Sequence, residues 1–455
     1  MSRKTECGRY PEYTAEVFSL DYEGRGVARI GGKTVFIKGA LPSETVRCRV
    51  VKQKKQFDEA ETVAVLKTAA ERVVPECVHF DTCGGCVLQH AAPDAQVAYK
   101  QRILEEQLLR IGKVQPEQIL PPLHGKAWYY RDRGRLSVAL DKTGRLKLGF
   151  RAKNSHDVVD LVMCKILPEH VSSKLPALRH LLQTLTAEKQ HVKYAEFSVC
   201  SDLSIFNLFL SDRPSEKASA AIRQFADVHL VDDGVDWQIW LQHPQQDAYP
   251  FYPEIRRRLA YRLPEFEVYM PYLPGDFTQI NSEMNRAMVA RALGLLDVRP
   301  GERVADLFCG LGNFTLPIAK QGADAVGIEG SQTLVKRAKD NAVLNNCKDT
   351  TVFQTADLFE TDEQIVASWG HFDKMLLDPP RSGAYEVVKS LHAPYLPSRI
   401  IYISCNPSTF ARDASVLVQK GYGFKAAGVM NMFAQTAHVE SVGLFELKND
   451  DIKRC

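Results

Sequence analysis

Hydrophobic and polar residues alternate in short runs over the first 70 residues of the chain. Such alternation predicts half-buried β-strands. Gly31 and Gly32 separate the second run from the third and predict a tight hairpin there. Five short strands so close together predict a small OB-like barrel, a frequent nucleic-acid-binding architecture; a barrel without a ligand is the alternative. The runs lie at 13–20, 26–30, 34–38, 45–52 and 61–66.

The pattern changes beyond a cysteine-containing stretch at 68–92. Apolar residues in 93–112 are spaced for one helix face, and Asp94 can cap this helix. Residues 123–265 alternate between strand-like and helical patterns. In 270–448, strands alternate with helices, which predicts an α/β domain.

We therefore expect a multidomain protein with three parts. An OB-like β-barrel comes first, a central α+β domain follows, and a Rossmann-like α/β domain comes last. The helix predicted at 93–112 is expected to pack on the last domain. The expected boundaries are 1–68, 69–268 and 269–455.

The 455 residues are 45% hydrophobic and 25% charged, as in an ordinary soluble protein. No stretch approaches the roughly 20 apolar residues of a membrane helix, and residues 1–7 lack the apolar core of a signal peptide. We expect a cytoplasmic protein, and its 11 cysteines then indicate metal, cluster or catalytic use rather than disulfides. Because the sequence has no apolar heptad repeat that would drive association with another chain, we expect a monomer.

The net charge of +3 hides an uneven distribution. Residues 1–70 carry 13 Lys and Arg against 9 Asp and Glu, and residues 124–153 carry 9 against 2. Such basic segments indicate a polyanionic partner, although either alone can be a solvated face. In the second, arginines follow an aromatic run at 128–130, and aromatic or guanidinium planes stack on unpaired bases; an aromatic core pair is the alternative. The candidate RNA-binding residues are Lys52, Lys54, Lys55, Arg131, Arg133 and Arg135.

Residues 302–315 have the pattern of a strand, a glycine-containing turn and a helix. Gly310 and Gly312 let the backbone approach a ligand, and the helix N-terminus beyond them favours negative charge. Two later strands end at Glu329 and Asp357, which suit ribose hydroxyls and an adenine amino group. The third glycine of a dinucleotide fingerprint is absent. This disfavours NAD and FAD and favours S-adenosylmethionine.

The next strand is followed by Asp378-Pro379-Pro380-Arg381. Asp-Pro-Pro after a strand resembles methyltransferases that act on nucleobases. Those that methylate exocyclic amines usually carry an aromatic residue next, to stack on the flipped base. Arg381 stands at that position here and favours a ring carbon as the target.

Cys405 ends an apolar, β-branched run and is followed by Asn406-Pro407, which stops the strand. The thiol is thereby placed at the carboxyl end of a strand, where open α/β sheets bind ligands. Carbon 5 of uracil becomes nucleophilic once a thiolate adds at C6, and the C5 proton must then be removed. Cys405 is the candidate nucleophile and Glu440 the candidate base; a buried core thiol and a surface glutamate are the alternatives.

Cys77, Cys83 and Cys86 form a C-x5-C-x2-C group in which a glycine pair gives the backbone freedom to wrap a metal centre. A fourth ligand must come from elsewhere, and Cys164 is the best candidate. Zinc and an iron–sulfur cluster both suit these residues. Unliganded thiols are the remaining alternative.

The motifs Asp-Pro-Pro-Arg, Ser-Cys-Asn-Pro and His-Val-Glu-Ser, in this order, resemble the RNA 5-methyluridine methyltransferases over nearly the whole chain. The N-terminal barrel resembles the TRAM module found in a subset of them. The resemblance implies Cys405 as nucleophile, Glu440 as general base and Asp378 at the junction of substrate and cofactor. It implies a [4Fe-4S] cluster on the four cysteines named above. The cofactor contacts that it adds or repeats are Gln279, Phe308, Asn313, Glu329 and Asp357.

Within that family, a barrel together with a cluster indicates the 23S rRNA enzymes, because transfer-RNA members typically lack both. The expected partner is an unpaired or refolded RNA segment whose uridine is flipped out of its stack. A tRNA or dual-site rRNA enzyme is one alternative. An iron–sulfur RNA-binding or ribosome-assembly factor with a vestigial transferase domain is another. The sequence departs from many members at Ala434-Gln435, where they have Pro-His.

Overall fold

The computed structural model describes residues 11–201, 203–231, 234–254 and 257–448. Two six-stranded sheets, a two-stranded ribbon and an eight-stranded sheet make up its β-structure. None of the helices in these ranges has the length and apolar character needed to cross a membrane.

The first sheet has the spatial order β1-β5-β6-β4-β3-β2 and encloses a small apolar core. The hairpin predicted at Gly31-Gly32 is present, with φ of 57° and 81° at the two glycines. The run predicted at 13–20 is two strands, because the backbone N–H of Val17 leaves the ladder to donate to Glu44. The run predicted at 45–52, which ends at Lys52, forms β5. The strands are β1 (Glu12–Glu16), β2 (Ser19–Leu20), β3 (Gly26–Ile30), β4 (Lys33–Lys38), β5 (Thr45–Gln53) and β6 (Phe57–Lys67).

An irregular segment carrying three of the cysteines leads into α1 (Pro93–Gln107), a π-helical turn (Leu108–Gly112) and β7 (Gln118–Ile119). Asp94 does not cap α1. Pro93 occupies the first helical turn instead, where its missing N–H costs nothing, and Asp94 lies inside that turn. Apolar residues of α1 and the π-helical turn share one core with the last sheet, which β7 extends by pairing with β21.

The second sheet has the order β13-β12-β11-β10-β8-β9, and α3 and α4 bury their leucine and phenylalanine side chains in its core. A two-stranded ribbon, β14 and β15, connects it to the last sheet. The elements are β8 (Arg133–Leu140), β9 (Leu146–Gly149), α2 (Glu169–Ser172), α3 (Leu175–Ala187), β10 (Val192–Cys200), β11 (Leu203–Leu210), α4 (Glu216–His229), β12 (Trp237–Gln242), β13 (Tyr249–Tyr252), β14 (Leu259–Leu263) and β15 (Val268–Tyr272).

The last sheet has the order β18-β17-β16-β19-β20-β22-β21-β7. Strands β16 to β20 are parallel and β22 is antiparallel to β20. The chain order reverses between β16 and β19, and open α/β sheets bind their ligands at such a switch point. The elements are α5 (Ser282–Leu296), β16 (Arg303–Leu307), α6 (Thr315–Lys320), β17 (Asp324–Glu329), α7 (Gln332–Leu344), β18 (Thr351–Thr355), α8 (Glu363–Trp369), β19 (Lys374–Leu377), α9 (Tyr385–Ser390), β20 (Arg399–Ser404), α10 (Pro407–Gln419), β21 (Tyr422–Met430) and β22 (Glu440–Leu447).

Candidate active site

The loop after β16 lies at this switch point. Its backbone is left-handed at Phe308, Gly310 and Gly312, with φ of 66°, 54° and 92°. A Cβ atom added at Gly310 would meet no protein atom within 4 Å, so the space beside this glycine is open to a ligand. A non-glycine residue in this conformation is uncommon and is often found at ligand-binding sites. The loop thus has the form that the sequence predicted for an adenosine-containing cofactor.

Glu329 ends β17 and braces this loop. One carboxylate oxygen accepts the backbone N–H of Gly310 at 3.1 Å and the other accepts that of Ser331 at 3.0 Å. Each oxygen keeps a lone pair for a further donor such as a ribose hydroxyl. Glu329 therefore orders the glycine loop in addition to offering the predicted ribose contact.

The other candidate cofactor residues surround the same edge of the sheet. Asn313 exchanges two side-chain hydrogen bonds with Asn285, at 2.9 and 3.0 Å. Asp357 is exposed beyond β18, and the ring of Phe359 lies 5.7 Å from that of Phe308. Gln279 precedes α5, and its carbonyl accepts the hydroxyl of Tyr261.

Asp306 is a site residue that sequence reasoning did not assign. It is fully buried in β16; one carboxylate oxygen accepts the hydroxyl of Thr315 at 2.5 Å, and the other has no hydrogen-bond partner among the described residues. Burial, with Asp378 and Glu329 nearby, raises the pKa of Asp306 to about 7. An acidic residue inside an apolar strand just before a glycine turn was the available signal for it.

Cys405 follows β20 directly and is only half-buried. The next residue, Asn406, is the N-cap of α10: its side-chain oxygen accepts the N–H of Ser408 at 3.0 Å, and Pro407 opens the helix. The Asn406 side chain also donates to the carbonyl of Arg381 at 3.0 Å, which ties the Asp-Pro-Pro-Arg loop to the cysteine. Ser-Cys-Asn-Pro therefore places a thiol at the start of a helix, where the dipole favours an anion.

Glu440 lies next to Cys405 on the adjacent strand of the sheet. The antiparallel register pairs Ser404 of β20 with Ser441 of β22, so Cys405 and Glu440 are adjacent one step further on. Glu440 is buried, with 5% of its surface exposed. The candidate nucleophile and base thus lie side by side, although 35 positions separate them in the sequence.

Three acidic groups meet at this point with little solvent. Burial, with Asp378 as a second cause, raises the pKa of Glu440 to about 8, and burial raises that of Asp378 to about 7. Burial and the two carboxylates raise the pKa of the Cys405 thiol to about 12. Arg381 opposes these shifts at both Cys405 and Glu440. The site therefore holds its protons until a cation or a substrate stabilises an ionised form.

A loop at 431–438 precedes Glu440 and is held from outside the sheet. Gln435 has a φ of 67°. Its side-chain oxygen accepts a hydrogen bond from the side-chain amide of Gln96 at 2.9 Å, and its own amide group donates to the carbonyl of Ala127 at 3.5 Å. The departure from Pro-His at 434–435 thus supports the loop internally. Further along, exposed Arg381 donates to the ring of His438 at 3.0 Å.

The four candidate metal-binding cysteines come together in space. Cys86 interacts electrostatically with Cys77 and Cys83, and Cys164 with Cys86 and Cys77. Gly84 allows the close approach that this needs: its N–H donates to Arg151 at 2.9 Å, and a Cβ there would lie 3.0 Å from that same carbonyl oxygen. As they stand, no three or more His, Cys, Asp or Glu side chains in the described ranges are arranged to hold a metal ion.

The cysteine segment contacts the loop at 431–438 directly. The N–H groups of Val87 and Leu88 donate to the carbonyl of Gln435 at 2.9 and 3.0 Å. The hydroxyl of Tyr130, a neighbour of Cys86 and Cys164, donates to the carbonyl of Ala434 at 2.7 Å. The loop before Glu440 is therefore anchored on the cysteine segment.

A groove of about 1320 Å³ runs between the barrel and the cysteine segment and ends at His438. Six cations line it. Arg131, Arg151 and Lys153 form no salt bridge within the part of the chain that the structure describes, whereas the other three have carboxylate partners. The six are Arg25, Lys38, Arg72, Arg131, Arg151 and Lys153.

Most of the other predicted RNA-binding residues lie outside the groove or have protein partners. The guanidinium of Arg133 contacts Asp276 and Thr278, and that of Arg135 pairs with Glu196 at 2.7 Å. On the barrel, Lys54 pairs with Glu59 at 3.0 Å, while Lys52 and Lys55 are exposed. Sequence reasoning missed Arg151 and Lys153, because only the fold brings the loop after β9 to the groove.

Sequence profiles of two families match this chain. The TRAM domain matches residues 11–63 and the tRNA (uracil-5-)-methyltransferase family matches residues 265–448. The 23S rRNA (uracil(1939)-C(5))-methyltransferase RlmD of Neisseria lactamica is 59% identical over 433 residues, which cover 95% of both chains. The protein of the same name from Chromobacterium violaceum is 48% identical over 440 residues, covering 96% of this chain and 85% of the relative.

A solved structure shares the fold. The Pyrococcus abyssi tRNA (uracil-54, C5)-methyltransferase in complex with S-adenosyl-L-homocysteine superposes with a TM-score of 0.70 at 22% identity, covering 95% of this chain and 99% of that one. The N-terminal sheet is thus a TRAM domain and the C-terminal sheet a methyltransferase domain. By the identity and coverage of its two bacterial relatives, this chain belongs to the family of 23S rRNA (uracil-C5)-methyltransferases.

Proposed function

We propose that this protein transfers a methyl group from S-adenosylmethionine to C5 of one uridine in 23S rRNA, giving 5-methyluridine. The observation that carries the proposal is the pairing of Cys405 with Glu440 beside the glycine loop at the switch point. The relatives at 59% and 48% identity, named for uracil 1939, support 23S rRNA as the substrate and the equivalent uridine as the target.

Each residue has a role that its position supports. The Cys405 sulfur adds to C6 of the flipped uracil, and the electron pair of the C5–C6 bond becomes available at C5. S-adenosylmethionine, when bound, supplies an electrophilic methyl group for that carbon. Glu440 then takes the C5 proton, the C5–C6 double bond re-forms, and the C6–S bond breaks with its electron pair returning to sulfur. Asp378 interacts electrostatically with Cys405 on one side and with Asp306 of β16 on the other, and we assign it to the junction of substrate and cofactor.

The same geometry supports the cofactor assignment. The open space at Gly310, the two-oxygen brace of Glu329 and the orphaned carboxylate oxygen of Asp306 fit a polar ligand that carries a ribose. We assign its binding to the loop and strand ends that the sequence predicted. The residues are Gln279, Phe308, Gly310, Gly312, Asn313, Glu329, Asp357 and Asp378.

The direct test is methyl transfer from labelled S-adenosylmethionine to unmodified 23S rRNA and, separately, to unmodified tRNA, with nucleoside analysis of the product. Label in 5-methyluridine of 23S rRNA alone is expected. Label in tRNA alone would keep the mechanism and overturn the substrate. No label in either would favour an RNA-binding assembly factor.

We further propose that Cys77, Cys83, Cys86 and Cys164 hold a [4Fe-4S] cluster. The four thiols come together in space, which supports a shared metal centre. The resemblance of the sequence to cluster-carrying members of the family supports an iron–sulfur cluster over zinc. The chemistry of methyl transfer needs no electron from it, so its role is to order the segment that anchors the catalytic loop.

Cys86→Ser is expected to lose the cluster absorbance and most RNA methylation while binding of S-adenosylhomocysteine stays near wild type. The reason is that the segment at 83–88 holds the loop before Glu440 but does not contact the glycine loop. Iron content, absorbance, calorimetric binding and methyl transfer measure these effects. Cys48→Ala, a buried thiol of the barrel, is the matched control. Full methylation by iron-free protein would contradict this role.

We assign the RNA path to the groove, with Lys52, Lys54 and Lys55 on the barrel as a second basic edge. Arg131 lines the groove, whereas Arg133 and Arg135 lie outside it, on Asp276 and Glu196. Three groove cations without a salt bridge to any described residue, together with His438 in the groove lining, support this path.

Arg151→Glu and Lys153→Glu are each expected to weaken RNA binding, most strongly at low salt. Each lost phosphate contact should reduce the slope of log K against log salt by about 1. Lys142→Glu changes an exposed lysine in the turn between β8 and β9, outside the groove, and serves as control. Filter binding over a salt series measures the slopes; equal slopes for all three variants would place the RNA elsewhere.

We also propose that the three parts, 1–68, 69–268 and 269–455, act together as a cytoplasmic monomer. The shared core of α1 with the last sheet and the anchoring of the catalytic loop on the cysteine segment support a single functional unit. Size-exclusion chromatography with light scattering tests the monomer.

A further inference from the structure

Helix α1 carries a lysine that the proposed reaction does not yet use. Lys100 has none of its surface exposed, and it faces the loop at 431–436 from the opposite side to the strands. Its ammonium donates to the side-chain oxygen of Asn431 and to the carbonyl of Phe433, both at 2.8 Å. Lysine is almost never fully buried without a reason, because removing its charge from water is costly.

The partners of Lys100 are neutral oxygens. Lys100 forms no salt bridge in the part of the chain that the structure describes. The acidic group with which it interacts electrostatically is Glu440. An ammonium stabilised only by two carbonyl-type oxygens keeps its positive field, and that field acts over short distances in a poorly solvated interior. Asn431 follows Met430, which pairs with Glu440 between β21 and β22, so Lys100 lies close to the candidate base.

Holding the loop does not by itself require a charge. Gln96, one helical turn earlier on α1, already tethers the same loop with neutral groups: its amide oxygen accepts the N–H of Gln435 at 2.8 Å, and its amide group donates to the Gln435 side chain at 2.9 Å. On the same face of one helix, Gln96 thus tethers the loop with neutral groups and Lys100 contacts it with a charged group.

We propose that Lys100 is a positioning residue whose ammonium favours the ionised form of Glu440 and fixes the loop that aims it at the C5 proton. The proposal rests on the function proposed above and adds to it the counter-charge of the general base.

The charges around Glu440 favour this assignment. Asp378 opposes its ionisation, whereas Lys100 and Arg381 favour it. Arg381 is exposed and bonded to His438, so solvent and substrate screen it, while Lys100 stays buried. Burial raises the pKa of Glu440 to about 8 and lowers that of Lys100 to about 7, and each group ionises more readily when the other carries its charge. Removing the lysine charge raises the pKa of the base further, so activity below that pKa should fall.

The test compares Lys100→Met with Gln96→Leu as the uncharged control on the same helix. In Lys100→Met, the acidic limb of the kcat profile is expected to move up by about one pH unit, with roughly tenfold less turnover at neutral pH. Release of tritium from [5-³H]uridine RNA should slow, and methylated RNA linked to Cys405 should accumulate until the pH is raised. Gln96→Leu is expected to lower turnover without moving the limb.

Lys100→Gln, which keeps a donor but not the charge, should shift the limb as Lys100→Met does. Binding of S-adenosylhomocysteine and thermal melting establish that each variant is folded. An unmoved limb and no accumulated adduct in folded variants, with active wild-type enzyme, would overturn the role of Lys100 alone. An inactive wild type would instead overturn the proposed function.

If neither variant folds, the pKa of Lys100 can be measured directly in protein that carries isotope-labelled lysine. The pKa of Lys100, followed by NMR, is expected to fall when Glu440→Gln removes the neighbouring negative charge. An unchanged pKa would show that the two groups do not act on each other and would refute the proposal.

Discussion

Replacement of Cys405 by alanine is expected to abolish methylation, by on the order of 10⁴-fold or more in kcat. Without a sulfur to add at C6, carbon 5 of uracil is too weak a nucleophile to accept the methyl group, and no other described residue replaces the thiol at the end of β20. S-adenosylhomocysteine binding should be retained, since the glycine loop after β16 is untouched. Methyl transfer and calorimetric binding measure the two effects separately.

A matched control is Cys200→Ala. That thiol is also half-buried, but it lies at the end of β10 and donates to the carbonyl of Leu203. It should methylate RNA as the wild type does. Residual turnover of Cys405→Ala near the wild-type rate would rule out covalent catalysis by this residue.

Replacement of Glu440 by glutamine is expected to stop the reaction one step later. Addition of Cys405 and methyl transfer proceed, but the C5 proton is not removed, so RNA stays covalently bound through a methylated uracil. Loss of a general base costs about 10²- to 10⁴-fold in turnover. Denaturing gels with methyl-labelled cofactor should show a protein–RNA adduct that the wild type does not accumulate.

Glu446→Gln is the control on the same strand. Glu446 lies near the far end of β22 and pairs with Arg399, so it shares the strand but not the site. It should release product normally. If Glu440→Gln turned over freely and left no adduct, the base would have to be sought elsewhere in the site.

Local features of the sequence predicted many of these elements well. Gly31-Gly32 specified a hairpin, and Asn406-Pro407 specified the end of a strand and the start of a helix, because both depend on backbone conformations that neighbouring residues set. Gly310 and Gly312 predicted an open loop for the same reason. By contrast, the predicted cap at Asp94 was wrong, since the proline before it begins the helix without a side-chain cap.

Other features depend on contacts between distant segments. Lys100 is separated from Asn431 by 331 positions, and Gln96 from Gln435 by 339. No local pattern distinguishes a lysine that faces solvent from one that faces a buried loop. The predicted alternation of Arg133 and Arg135 on β8 likewise could not reveal that Asp276 and Glu196 hold their guanidinium groups.

The sequence by itself determined the kind of chemistry: a thiol at a strand end, a carboxylate at the start of a later strand and a glycine loop for a nucleoside cofactor, all of which follow from short-range conformational preferences. Only the tertiary structure decided the electrostatics of the site. The antiparallel register puts Glu440 next to Cys405, and the packing of α1 brings a buried ammonium to that pair. Burial removes the water that would screen these charges, and burial is a property of the whole fold.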